Sequence, residues 1–176
     1  MKRRTAGLVA LAALAAAAGG GTAWWRRART SDDSGELTPT DLWSLTFQNL
    51  DGTSLRMADW RGRPLVLNFW ATWCGPCVTE MPLLDRFAKE QSSSGWRVLA
   101  LAIDRIELVR HFVAERSLAL PIALAGGEGL DLSRALGNKL GTLPFSVVFD
   151  SVGDQVAHQL GAVSPELLAR WVGQTR

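Results

Sequence analysis

A chain of 176 residues, 47% hydrophobic and 20% charged, is long enough for one domain with a substantial core and a short appendage. Its net charge of +2 misleads: Lys2, Arg3, Arg4, Arg26, Arg27 and Arg29 all lie near the start, while from Thr38 onward 13 basic side chains stand against 14 acidic ones. The domain is therefore near neutral, and with no basic patch or aromatic-basic interleaving it is not a nucleic-acid binder.

The first 29 residues read as a signal anchor or a signal peptide. Lys2-Arg3-Arg4 precedes an uncharged stretch, Thr5 to Trp25, about as long as a helix needs to span a bilayer. Trp24-Trp25 meeting Arg26-Arg27 suits a membrane interface and favours a retained anchor in the cytoplasmic membrane. The alanine-rich composition and the small-x-small sites Gly21-Thr22-Ala23 and Ala16-Ala17-Ala18 favour cleavage instead. Residues 30–37 (Thr-Ser-Asp-Asp-Ser-Gly-Glu-Leu) read as a flexible linker, and 38–176 as the folded domain. That domain is expected outside the cytoplasmic membrane, in the periplasm or on its outer face.

Leu42 to Gln48 reads as a strand, and Asp51-Gly52 marks a hairpin turn before Leu55. Leu65-Val66-Leu67-Asn68-Phe69-Trp70 is a nearly all-apolar run, the pattern of a buried strand. It leads into Cys74-Gly75-Pro76-Cys77, which holds both cysteines of the chain. A strand delivering a Cys-x-x-Cys pair to the start of a helix is the layout of a dithiol redox site. Two sulfurs three residues apart on a first helical turn come within disulfide reach. The unpaired N–H groups and partial positive charge there favour thiolate, the nucleophile of disulfide exchange. Pro76 needs no N–H at that place and already has a helical φ.

The helix is expected from about Cys74 to Glu90, bent at Pro82. Cys77, Met81, Leu84 and Ala88 fall on one apolar stripe. Cys77 is therefore the expected buried, resolving thiol and Cys74 the exposed, attacking one. A zinc site needs four ligands, and neither a second cysteine pair nor a neighbouring histidine accompanies this one; His111 and His158 are far apart. A bridge closing so short a loop removes little unfolded-chain entropy, which argues against a purely structural disulfide.

Ser92 to Gly95 breaks the chain before a second buried strand, Arg97 to Ile103. Ile106 to Arg116 is helical, with Val109, Phe112 and Val113 on one face. Leu120 to Leu124 reads as a short strand, Leu130 to Leu136 as a short helix, and Phe145 to Phe149 with Gln155 to Leu160 as a hairpin. Ser164 and Pro165 open a last helix as N-cap and first residue. Strands alternating with helices, then a terminal hairpin, make the fold α/β with a mixed sheet.

The run Asn68-Phe69-Trp70-Ala71-Thr72-Trp73-Cys74-Gly75-Pro76-Cys77 resembles the thioredoxin superfamily. More narrowly, with Glu80-Met81-Pro82, it resembles the exported, membrane-tethered TlpA/ResA/CcmG-like thiol-disulfide oxidoreductases. The likeness in element order runs from about Pro39 to Arg176. It implies a thioredoxin-like fold with a central mixed β-sheet flanked by helices, an N-terminal β-hairpin extension and a central helix-strand insert from about Arg105 to Leu124. It also implies a cis peptide at Leu143-Pro144, lying against the disulfide so that the Leu143 backbone pairs with an extended substrate. Relatives usually place a small polar residue after this proline, whereas this chain has Phe145. Asn68 stands where thioredoxin carries a buried aspartate, and an amide cannot accept the Cys77 proton as a carboxylate can. Glu80 and Asp104 are the substitutes, although Glu80 also reads as an ordinary solvated helical acid. Trp73 is expected to cover the sulfurs and Trp70 to pack.

The expected activity is therefore reduction of protein disulfides through the Cys74–Cys77 dithiol, with no cofactor beyond that redox-active disulfide. The Gly-Pro dipeptide resembles reductants of the family more than its oxidants. Family likeness implies electrons from a membrane thiol transporter of the DsbD/CcdA kind. It also implies protein substrates such as apocytochrome c, metal-site assembly proteins or methionine sulfoxide reductases. A copper chaperone using the soft dithiol is the alternative of another class, and a thiol oxidase the alternative within the same chemistry.

Overall fold

A computed structural model describes residues 41–175. The expected anchor or signal segment, 1–29, and linker, 30–37, lie outside the described residues. Among those described, no helix is long and apolar enough to cross a membrane.

One seven-stranded mixed sheet organises the described residues. Its strands are β1 (Thr46–Asn49), β2 (Ser54–Arg56), β3 (Leu65–Trp70), β4 (Arg97–Ala102), β5 (Ile122–Leu124), β6 (Phe145–Phe149) and β7 (Gln155–Leu160), in the spatial order β2-β1-β5-β4-β3-β6-β7. β4 runs parallel to β3 and β5, whereas β6 pairs antiparallel with β3 and β7, and β1 antiparallel with β2 and β5. The α-helices among the described residues are α1 (Gly75–Gln91), α2 (Ile106–Arg116), α3 (Gly129–Ala135) and α4 (Pro165–Gln174). This is a thioredoxin-like α/β fold with the hairpin extension and the helix-strand insert in their expected places.

Strand alternation divides the core in two. All six side chains of β3 are buried. Leu65, Leu67 and Phe69 join Leu99, Leu101, Phe145, Val147 and Phe149 on one face, closed by Leu42, Trp43 and Leu132. Val66 and Trp70 join Cys74, Cys77, Met81, Leu84, Val109, Phe112, Leu168 and Trp171 on the other, beneath α1, α2 and α4. The redox pair thus belongs to the core lining of one face. Each fully buried leucine or phenylalanine there contributes about 1.5–3 kcal/mol by removal from water.

The structure corrects several sequence expectations. Leu42 to Ser44 is not strand: a 3₁₀ turn covers Asp41–Ser44 and β1 begins at Thr46. Leu42 and Trp43 are buried in succession, which a strand with one wet face cannot achieve, and Trp43 Nε1 donates to the Gly153 carbonyl at 3.0 Å. β5 begins at Ile122 rather than Leu120, because Pro121 offers only a carbonyl, taken by Ala100 N–H at 3.0 Å, while Leu120 N–H turns to the Asp85 carboxylate. α1 begins at Gly75, with Cys74 as its cap, and runs through Pro82 to Gln91. The Asp51-Gly52 hairpin forms as expected, with Gly52 at φ 92°, where a side chain would be strained.

Candidate redox site

β3 ends at Trp70, and after four residues the chain enters α1 at Gly75. Three tertiary bonds hold this short loop: Ile103 N–H donates to the Trp70 carbonyl at 2.8 Å, and Thr72 donates to Asp104 Oδ2 both from its N–H, at 2.9 Å, and from its hydroxyl. Cys74 then takes extended backbone geometry as the N-cap, the role a serine or aspartate commonly fills. Its Sγ accepts the Cys77 N–H at 3.3 Å, and its carbonyl accepts Val78 N–H at 3.0 Å. The first turn contains no acidic residue, so the positive end of α1 acts on the sulfur undiminished. Pro76 occupies the first turn without removing a needed donor.

Cys74 and Cys77 form a disulfide, with Cα atoms 5.3 Å apart. Their order of burial follows the helical stripe, since Cys77 is 0% exposed and Cys74 5%. Cys74 is more covered than expected of an exposed thiol, because its side chain turns into the core lining rather than toward water. What is exposed around it is Gly75, Pro76 and Trp73; the tryptophan is 70% exposed. Trp73 therefore stands open beside the pair, whereas Trp70 is buried against Phe112, ring centroids 5.2 Å apart, as expected of a packing residue.

The Leu143–Pro144 bond is cis. Phe145 lies opposite Phe69 in the β3–β6 ladder, so the two residues before it come level with the end of β3 that feeds the redox loop. Pro144 is buried and its carbonyl accepts Gly161 N–H at 2.9 Å; Leu143 is half-buried and packs against both core clusters. Phe145, the departure from the family pattern, turns to the opposite face and packs on Phe69 and His158 at 6.1 and 5.9 Å. Its bulk is absorbed by the core and leaves the redox side of the sheet unobstructed.

The two acids part company. Glu80 is not a solvated helical acid: it is 3% exposed, on the inner face of α1 three residues after Cys77. Its Oε1 accepts from Asn68 Nδ2 and its Oε2 from Val163 N–H, both at 2.8 Å. Burial lifts its carboxyl above the ordinary glutamate range, although both donors favour the anion. For Asp104, burial works upward but is outweighed by the Thr72 hydroxyl and N–H and the Arg105 N–H and charge, which hold it below the usual range. Its hydrogen bonds run to the loop and to Arg105, so it anchors the approach to Cys74 as a carboxylate.

Sequence reasoning missed Ser146, whose Oγ accepts from Asn68 Nδ2 at 3.0 Å, and the Val163 N–H on Glu80. A lone serine inside the apolar strand Phe-Ser-Val-Val-Phe was the available signal. The Val163 contact joins residues 83 apart in sequence and has no local trace. His111 is exposed beside Glu115, and among the described residues no three His, Cys, Asp or Glu side chains gather as a metal site.

Comparison with known proteins agrees with this geometry. The sequence pattern of the Redoxin family matches residues 34–167. The chain is 32% identical to the thiol-disulfide oxidoreductase ResA of a Bacillus cereus strain over 122 residues, 68% of each chain. Among solved structures, it is similar to a thioredoxin-family thiol:disulfide interchange protein from Chlorobium tepidum TLS, with TM-score 0.65 and 26% identity over 75% of this chain and 92% of that one. The MTB dsbF structure shares the fold, with TM-score 0.67 at 22% identity over 80% and 100% of the two chains. With a capped Cys-x-x-Cys disulfide on a thioredoxin-like sheet, the chain belongs to the redoxin family and is a ResA-like thiol-disulfide oxidoreductase whose redox pair is Cys74 and Cys77.

Proposed function

We propose that the protein acts outside the cytoplasmic membrane as a reductant of protein disulfides. The Cys74 thiolate attacks one sulfur of a substrate disulfide; the other leaves as thiolate and takes a proton from water. The Cys77 thiol then passes its proton to the Glu80 carboxylate and attacks Cys74 Sγ, releasing the second substrate sulfur as thiolate. Two electrons move to the substrate and the Cys74–Cys77 disulfide forms. Substrate lies along the Leu143 backbone and Pro144, flanked by Trp73. A membrane thiol transporter of the DsbD/CcdA kind restores the dithiol.

The observation that carries this reading is the asymmetry of the pair: Cys74 Sγ caps the helix end, while Cys77 is sealed and shares the inner face of α1 with Glu80. The Gly75-Pro76 dipeptide supports the reductive direction, and the basic, apolar N-terminal sequence supports export and tethering. The test uses Cys77→Ser in exporting cells. It is expected to accumulate mixed disulfides through Cys74, and the Cys74→Ser variant none. Equilibration with glutathione is expected to give a potential nearer about −270 mV than about −120 mV; a value at the oxidising end would assign the protein as an oxidase instead.

A further inference from the structure

The surroundings of Glu80 contain a group that can serve both of its protonation states. Asn68 is fully buried on β3. Its Nδ2 donates to both Glu80 Oε1 and Ser146 Oγ, while no protein group donates to its buried Oδ1. That edge offers no protein partner to either amide atom, so turning the amide over breaks no bond there and exchanges an unpaired acceptor for an unpaired donor. The other elements around Glu80 add no charge: α1 brings Cys77, β6 brings Ser146, and the chain before α4 brings the Val163 N–H.

The Val163 N–H is a backbone donor and can only donate, so Oε2 stays an acceptor and a proton on Glu80 belongs on Oε1. There it would meet the Nδ2–H of Asn68, donor against donor. Turning the amide about χ2 replaces Nδ2 by Oδ1 and restores the bond with its direction reversed. Ser146 can follow, because a hydroxyl both accepts and donates. An ionised aspartate at position 68 could not make this exchange, having acceptors only.

We propose that the Asn68 amide is a positioning switch: it presents Nδ2 to the Glu80 carboxylate and Oδ1 to the Glu80 acid, with the Ser146 hydroxyl reversing alongside it. This rests on the reading of Glu80 as acceptor of the Cys77 proton. It explains how a buried acid takes up and returns a proton without leaving a donor facing a donor.

NMR of the full-length chain in detergent, with labelled Glu and Asn side chains, tests it. In the oxidised protein the disulfide-bonded cysteines do not titrate, which isolates Glu80. The NOEs from the Asn68 amide protons to Ser146 Hβ are expected above the Glu80 midpoint and lost below it. Persistence of those NOEs on both sides of the midpoint would overturn the switch. Asn68→Leu gives a second reading: loss of a fixed donor raises the Glu80 midpoint by about one unit or more, whereas loss of a reversible partner moves it by less than about half a unit. If Glu80→Gln leaves the pH–rate profile of Cys77 resolution unchanged, the acceptor reading alone is overturned, because the Asn68 contacts report the reversal independently.

Discussion

Glu80 and Trp73 show how differently two residues of one site are held. Glu80 is sealed, bonded on both oxygens and displaced toward the acid. Replacing it with glutamine keeps the shape but removes the proposed proton acceptor. The resolving step is then expected to slow about 100-fold near neutral pH, the usual scale for a general base, with its pH dependence flattened; stopped-flow tryptophan fluorescence reads both. Trp73 is 70% exposed, so it contributes little to the core. Trp73→Ala is expected to leave stability within about 0.5 kcal/mol while raising KM for a protein disulfide about tenfold. Urea melts beside steady-state kinetics separate the two roles.

At the scale of elements, Asp85 joins α1 to the segment that enters β5. Its Oδ1 accepts the N–H groups of Ala119 and Leu120 at 2.7 and 2.8 Å, and its Oδ2 takes Lys89 Nζ at 2.6 Å. Removing the carboxylate strands two backbone donors beside a buried leucine. Asp85→Ala is expected to cost about 2–3 kcal/mol in chemical denaturation, and Asp85→Asn less, since an amide oxygen can still face both donors. Lys89→Ala is expected to cost under about 1 kcal/mol, because the lysine is more than half exposed.

The whole molecule carries acids shifted in opposite directions, and its pH–stability curve is expected to show both. Asp85 and Asp104 are held below the ordinary carboxylate range, despite burial, by their donors and neighbouring cations. Their stabilisation is complete above the unfolded-state pKa and is lost as pH falls through the folded-state values. Glu80 is raised by burial, so the folded protein binds more protons than the unfolded chain between the ordinary glutamate value and its own. Stability therefore declines as pH rises through that window. Glu80→Gln is expected to abolish the decline and leave the acid limb in place. Urea midpoints measured from about pH 3 to pH 8 check this, and an unchanged decline in the variant would assign it to another group.

The redox pair, its order of burial and most elements were legible in the residues because they rest on local rules: an apolar strand run, a proline in a first helical turn and a 3.6-residue stripe ending on Cys77. The same rules misplaced Leu42 and Trp43, since a tryptophan bonded to a carbonyl 110 residues away is placed by packing, not by its neighbours. They also could not seal Glu80. Its carboxyl became a buried group, lifted above the ordinary glutamate range, only when β3, β6 and the turn before α4 closed over α1, bringing Asn68 and Val163 within 2.8 Å. Local sequence decides which chemistry a chain carries, because nucleophile, cap and helix start are neighbours along it. The protonation of an acid depends on what shuts out water, and here that is supplied by segments up to 83 residues distant in the chain.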